Sequence, residues 1–226
     1  MVFGLKKFLF KGGAGSPANL PEDVRLALEA WRASKAPGYD EPHFHTRYVV
    51  IDIATSGSNP AEDELLGIAA VGLRKGAIQP ADAFALDLGA EESEKIDAAA
   101  VDRHLMAFLT YAAKAPLVTY HGPFVSGFLQ RAFKERLGVD FQPQWIDLAW
   151  LLPSLFTEKS QVTVPLDDWL EMLGIAGTER RDTMANTLML ARLFQMLLVR
   201  ATGREITTAG KLVEESQAAT FLRRNH

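Results

Sequence analysis

The apolar positions change period along the chain, and the change marks out its elements. Tyr48-Val-Val-Ile-Asp-Ile53 is a continuous β-branched run that stops at Thr55-Ser-Gly-Ser-Asn-Pro60, the pattern of a buried strand entering a loop, with Asp52 near its C-terminal end. The apolar run 65–73 predicts a second strand closed by Arg74-Lys-Gly-Ala77, and alternation over 83–88 predicts a third. From Val101 the spacing becomes helical, with Val101, Leu105, Phe108, Leu109 and Ala112 on one stripe. A short strand over 117–120 and a helix through Phe124, Phe128, Leu129, Phe133 and Leu137 follow, the helix ended by Gly138. Residues 144–152 read as a strand or strand-to-helix segment around Asp147. Helical spacing returns over 166–173 and 187–198. Three strands followed by alternating strands and helices predict an α/β fold with a mixed sheet flanked by helices.

The ends follow other rules. Only Phe8, Leu9 and Phe10 separate Lys7 from Lys11, far fewer than the roughly 20 apolar residues of a membrane span or the core of a signal peptide. The readings left for this stretch are a short surface or partner-binding helix and a frayed terminus. Gly, Ser and Pro make 12–19 a linker. Asn19 is placed to cap a helix with Val24, Ala27, Leu28 and Trp31 on one stripe, stopped by 35–42. Residues 1–45 therefore read as an arm, 46–200 as the main domain, and 201–226 as a C-terminal helix and tail.

Composition narrows the chemistry. The 226 residues are 48% hydrophobic and 23% charged, ordinary values for a globular protein. No cysteine is present, which excludes disulfide scaffolds, thiolate metal sites and cysteine nucleophiles and fits a reducing, cytoplasmic setting. A net charge of −4 supplies no field for nucleic acid, so such binding needs a local basic patch. Arg180, Arg181, Arg192, Arg200 and Arg204 are candidates for a phosphate-contacting stripe or for a solvated face. Trp145, Trp150 and Trp169 lie in apolar runs and read as core, while Trp31 reads as what holds the arm to the core. No Walker loop, dinucleotide glycine fingerprint or nucleophile elbow occurs. His43 and His45 alone are too little for a zinc site.

Five segments in order carry a resemblance. Ile51-Asp-Ile-Ala-Thr-Ser-Gly57 with Asp63-Glu-Leu-Leu-Gly-Ile-Ala-Ala-Val71, then Tyr120-His-Gly-Pro-Phe-Val125, Ile146-Asp-Leu148, 166–175 and Arg181-Asp-Thr-Met-Ala-Asn186 resemble the motifs of the DnaQ-like (DEDD) 3′–5′ exonucleases over residues 46–200. That group includes the proofreading epsilon subunit of bacterial DNA polymerase III and ribonuclease T. The resemblance implies a ribonuclease-H-like mixed five-stranded sheet with its second strand antiparallel. It also implies an ancestral 3′–5′ hydrolysis in which four carboxylates hold two Mg²⁺ or Mn²⁺ ions and a histidine acts as base.

At the five positions so implied this chain has Asp52, Ala54, Val125, Arg181 and Asn186. Ala and Val offer no donor atom, Asn offers a neutral carbonyl, and the guanidinium of Arg181 stays protonated where a titratable base belongs. The expectation is that two-metal hydrolysis is lost, that Asp52 is a vestigial metal position, and that Asp52 pairs with Arg181 in its place. No cofactor is expected, or Mg or Mn if activity remains. Asp63, Glu64, His121, Asp147 and Asp182 are the residues from which a relocated site could be assembled. Thr55, Ser56, His121, Phe124 and Arg181 are the candidate contacts for a strand end. Three functions compete: a binding or regulatory module for single-stranded nucleic acid or nucleotide, a protein-interaction subunit or homodimer using the arm, and an active exonuclease with substitute ligands.

Overall fold

Strand β1 (Tyr48–Thr55) lies at the centre of the sheet because it is apolar on both sides, with Val49, Ile51 and Ile53 in one core and Tyr48 and Val50 in the other. The structure, a computed structural model, describes residues 20–88, 97–157, 164–175 and 182–224. β1 pairs antiparallel with β2 (Leu65–Arg74), which pairs antiparallel with β3 (Ala77–Asp87). On its other side β1 runs parallel to β4 (Leu117–Thr119), and β4 parallel to β5 (Trp145–Asp147). The result is a mixed five-stranded sheet in the order β3-β2-β1-β4-β5, as the resemblance implied.

Helices α1 (Glu22–Ala33), α2 (Ala98–Ala112) and α3 (Gly122–Leu137) fill the first core with Val24, Leu28, Phe108, Phe128 and Phe133. The second core, on the opposite face, is filled by Leu151, Trp169, Phe194 and Leu212 from α4 (Leu148–Leu155), α5 (Leu166–Met172), α6 (Thr183–Thr202) and α7 (Ala209–Arg224). Side chains alternate along a strand, so Asp52 and Ala54 continue the even-numbered set on the face that α6 covers. Asp52 stands opposite Ala69 of β2, and Ala54 opposite Gly67. Trp169 is buried as its apolar run predicted, and Trp31 and Trp145 pack at the margin of the first core.

The third strand starts earlier than its alternation suggests. Lys75 and Gly76 both have positive φ, 53° and 70°, as a tight hairpin turn requires, and β3 begins directly after them at Ala77. Pro80 interrupts the alternation, and the register slips: Gly72 pairs with Gln79 but Val71 with Ala83. A Cβ on Gly72 would stand 2.0 Å from a carboxylate oxygen of Asp82, so glycine is required there. That carboxylate accepts Arg47 Nε–H and Nη2–H at 2.8 and 2.9 Å, joining the start of β1 to the bulge.

Two helix starts also differ from expectation. α1 follows Pro21 with no side-chain cap, and Asn19 lies outside the described residues. α6 begins at Thr183, a turn before its apolar stripe, because Asp182 caps it. The 1–11 stretch and the 12–19 linker lie outside the described residues. No described helix is long and apolar enough to cross a membrane.

His43 is buried between these layers and uses both ring nitrogens. Nε2 faces the Ile206 carbonyl at 2.9 Å and therefore carries the proton, so Nδ1 accepts the Tyr48 hydroxyl at 2.6 Å. Burial lowers the imidazole's pKa, opposed by its bond to Ile206. The residue ties the segment before β1 to the α6–α7 connector, where His43 N–H also donates to Thr207.

Candidate functional site

The site predicted by the motifs lies at the C-terminal end of β1, where a register shift between Ala54 and Thr55 releases the chain into the 56–64 loop. That loop is braced from within. Ser56 N–H donates to Glu64 O at 3.0 Å, Glu64 N–H to Ser56 Oγ at 2.8 Å, and Thr55 Oγ1–H to Gly57 O at 2.7 Å. The Asp63 carboxylate accepts Asn59 N–H at 2.8 Å and lies over Gly57, where a Cβ would meet it at 2.3 Å. Asp63 is thereby a brace of this loop. Pro60 seats the loop against Gly127 of α3.

The opposite wall is the start of α3. His121 sits at its N-cap with φ 62°, its ring edge-on to Tyr120 at 4.6 Å and exposed to solvent. Its backbone conformation is held by Asp147, whose carboxylate accepts His121 N–H at 3.1 Å, Gly122 N–H at 2.8 Å and Ala149 N–H at 3.0 Å. One buried side chain thus caps both α3 and α4. Desolvation by burial raises its pKa, opposed by the N–H bonds of Ala149 and Gly122 and by the charge of His121. The same residue's N–H reaches Ser216 of α7 at 3.4 Å. The bonds to His121, Gly122 and Ala149 give Asp147 the role of a structural cap. Phe124 is half-buried, edge-on to Phe128 at 5.1 Å. Val125 is 1% exposed and belongs to the first core.

The third wall is the first turns of α6. Asp182 accepts Ala185 N–H at 2.7 Å, an N-cap bond that accounts for it structurally. Thr187 Oγ1–H bonds to Thr183 O at 2.8 Å and to Ala69 O at 3.3 Å, which docks α6 against β2 at the register position of Asp52. Asn186 precedes it, and its Oδ1 is buried with no hydrogen-bond partner among the described residues. Arg180 and Arg181 lie outside the described residues, and with them the expected Asp52–Arg181 pair.

The structure separates the other arginines of the supposed stripe. Arg192 is exposed, whereas Arg200 Nε–H donates to Leu155 O at 3.1 Å with its guanidinium 4.8 Å from the Phe156 ring. Arg204 Nη1–H donates to Ser154 O at 3.0 Å. Both close the C-terminal carbonyls of α4, as cations do at a helix end.

The donor set does not fit a two-ion centre. The four positions that the resemblance gives to carboxylates hold one carboxylate, a methyl group, a buried isopropyl group and an amide. Among the described residues no group of three or more His, Asp or Glu could hold a metal ion. Hard divalent cations require several oxygen ligands, which these four positions do not supply.

Solved structures share this arrangement. Exonuclease I of E. coli in complex with a dT13 oligonucleotide superposes with a TM-score of 0.53 at 13% identity, covering 70% of this chain and 42% of that protein. This is the DnaQ-like 3′–5′ exonuclease fold. A second exonuclease I structure matches it at a TM-score of 0.52 and 12% identity, over 75% of the chain and 43% of that protein. In sequence, the DNA polymerase III PolC-type protein of Thermotoga petrophila is 24% identical over 168 residues, which are 69% of this chain. The chain spans only 12% of that polymerase and less than half of exonuclease I. No known family profile matches the chain.

Within the DnaQ-like fold, two residues that the sequence singled out have structural roles it did not show. Asp147 before Leu148-Ala-Trp150 carries the signal of a helix cap, but its second task at α3 depends on β4 and β5 lying side by side. The unpartnered Asn186 oxygen has no sequence signal at all.

Proposed function

We propose that this chain binds a single-strand end or a nucleotide in the crevice between the 56–64 loop, the start of α3 and the start of α6, without two-metal hydrolysis. The observation that carries the reading is Val125: the position that the resemblance gives to a metal-binding carboxylate is packed in the hydrophobic core, not at the crevice. The exonuclease I match, solved with an oligonucleotide, supports nucleic acid as the ligand class.

In this reading each wall has a role. The half-buried Phe124 ring offers a face for a base, and the exposed His121 imidazole at the N-cap of α3 is a further contact. Asp52 accepts hydrogen bonds from sugar hydroxyls. Arg181, which precedes α6 in sequence, is the residue assigned to phosphate. A bound strand is held without an activated water.

The test is fluorescence anisotropy with a 3′-labelled single strand, run beside a gel assay for shortening in Mg²⁺ and in Mn²⁺. The expected result is binding that weakens with salt, Phe124→Ala weakening it about ten-fold, and a strand of constant length. Stepwise 3′ shortening abolished by Asp52→Asn would overturn the proposal.

One observation favours a protein-interaction role beside it. Leu188, Met196 and Val199 lie on one outward face of α6 and are 36%, 41% and 76% exposed. Sedimentation of wild type against Val199→Glu reads that surface directly.

A further inference from the structure

A second concavity lies at the other end of the sheet. It has a volume of about 190 Å³ and is bounded by the segment after α1, the α2–β4 turn and the approach to β5. That volume is below the about 300 Å³ at which drug-sized sites begin, so it admits a single planar ring system and not a whole nucleotide.

Its lining is built for such a ring. Trp31, Tyr39 and Phe141 supply aromatic surface. Trp31 Nε1–H is buried with no hydrogen-bond partner among the described residues, a donor whose desolvation is uncompensated until an acceptor arrives. Lys114 stands 4.9 Å from the centre of the Trp31 ring, and two of its three N–H groups go to the carbonyls of Ser34 and Arg32. One ammonium N–H is left for a ligand acceptor. Ala113 and Lys114 both have positive φ, 47° and 58°, an uncommon conformation for non-glycine residues that concentrates at ligand clamps. Asp140 also lines the cavity; it is exposed and spends one oxygen on Gln142 Nε2–H at 3.2 Å. Its other oxygen is an acceptor.

The lining thus offers a cation and an indole donor together with a carboxylate acceptor, a set that suits a planar ligand carrying both acceptors and donors. We infer that this cavity is a nucleobase site whose polar groups favour guanine, which carries a ring N–H and an amino group beside each other and the acceptors O6 and N7 elsewhere. The site is separate from the crevice, because Leu117 at its floor pairs with Val49 at the opposite end of β1 from Thr55. It does not depend on the crevice reading.

The experiment follows the Trp31 indole N–H signal by NMR in the full chain, titrated with guanosine, adenosine and uridine, and with a guanine-containing and a guanine-free single strand. The expected result is a saturable shift with guanosine at least ten-fold tighter than with adenosine or uridine. Trp31→Phe, read by calorimetry, and Asp140→Asn should each weaken it about ten-fold, and Asp52→Asn should leave it unchanged. A shift given by guanosine alone identifies a free base as the ligand, and one given only by the guanine strand identifies a base within nucleic acid. No guanosine- or strand-induced shift at millimolar concentration would overturn the inference. Equal binding of all three nucleosides, or loss with Asp52→Asn, would overturn it as well. Asp140 is exposed, so its variant folds and keeps the test decisive if Trp31→Phe does not.

Discussion

Replacing Asp147 with alanine removes one acceptor shared by three backbone N–H groups, those of His121, Gly122 and Ala149. Loss of a cap costs about 1 kcal/mol at each of the two helices. The Gly122 N–H is buried and gains no solvent partner, which adds about 1–2 kcal/mol. The expected destabilisation is therefore about 3–4 kcal/mol, a large part of the about 5–15 kcal/mol that holds a domain together. Urea unfolding measures it as a lower midpoint at an unchanged slope. Asp147→Asn retains one acceptor oxygen but turns an amide donor toward the remaining N–H, and should cost about 2 kcal/mol. Asp182→Ala removes only an exposed cap, and about 1 kcal/mol is expected. If Asp147→Ala falls within about 0.5 kcal/mol of wild type, water replaces the carboxylate at both helices and the double-cap argument fails.

Three other perturbations have definite signs. Because burial holds the His43 pKa below its unfolded value of about 6.5, the native state binds fewer protons; stability rises with pH up to about 6.5 and is lost on acidification. A His43→Gln variant should flatten that slope in pH-dependent urea melts. Gly72→Ala should cost about 2–4 kcal/mol by pushing the Asp82 carboxylate off Arg47, and the cost should shrink in an Asp82→Ala background, where only a Cβ at 3.2 Å remains. Asp102→Ala should cost about 3–5 kcal/mol by leaving the largely buried Arg136 guanidinium, 2.8 Å away, without its partner. Replacing both residues by apolar ones should cost less, a comparison thermal unfolding makes directly.

What the sequence made legible were local periodicities and ordered motifs. The central strand, the position of Asp52 at its end and the three-strand meander are statements about consecutive residues, and they appear in the structure as read. The start of β3 was hidden because Pro80 breaks the alternation that identifies strands. Arg200 and Arg204 looked like surface cations because the carbonyls they close, Leu155 and Ser154, lie 45 and 50 residues away in sequence. The same distance problem hid the bond from Asp147 to α3, while Asp182 followed the ordinary rule for a residue just before a helix. The motif residues Ala54 and Val125 told which donor atoms were missing, but not that Val125 would be wholly enclosed.

The 56–64 loop closes through Ser56, Asn59 and Asp63, and the start of α3 closes through Asp147. None of these bonds passes through Asp52, Ala54, Val125 or Asn186. The frame of the crevice and its chemistry are thus separate inheritances: substitutions at the reactive positions leave the bracing bonds standing. Exchange at Asp52 or Ala54 leaves that bracing intact, whereas exchange at Val125 reaches into the core.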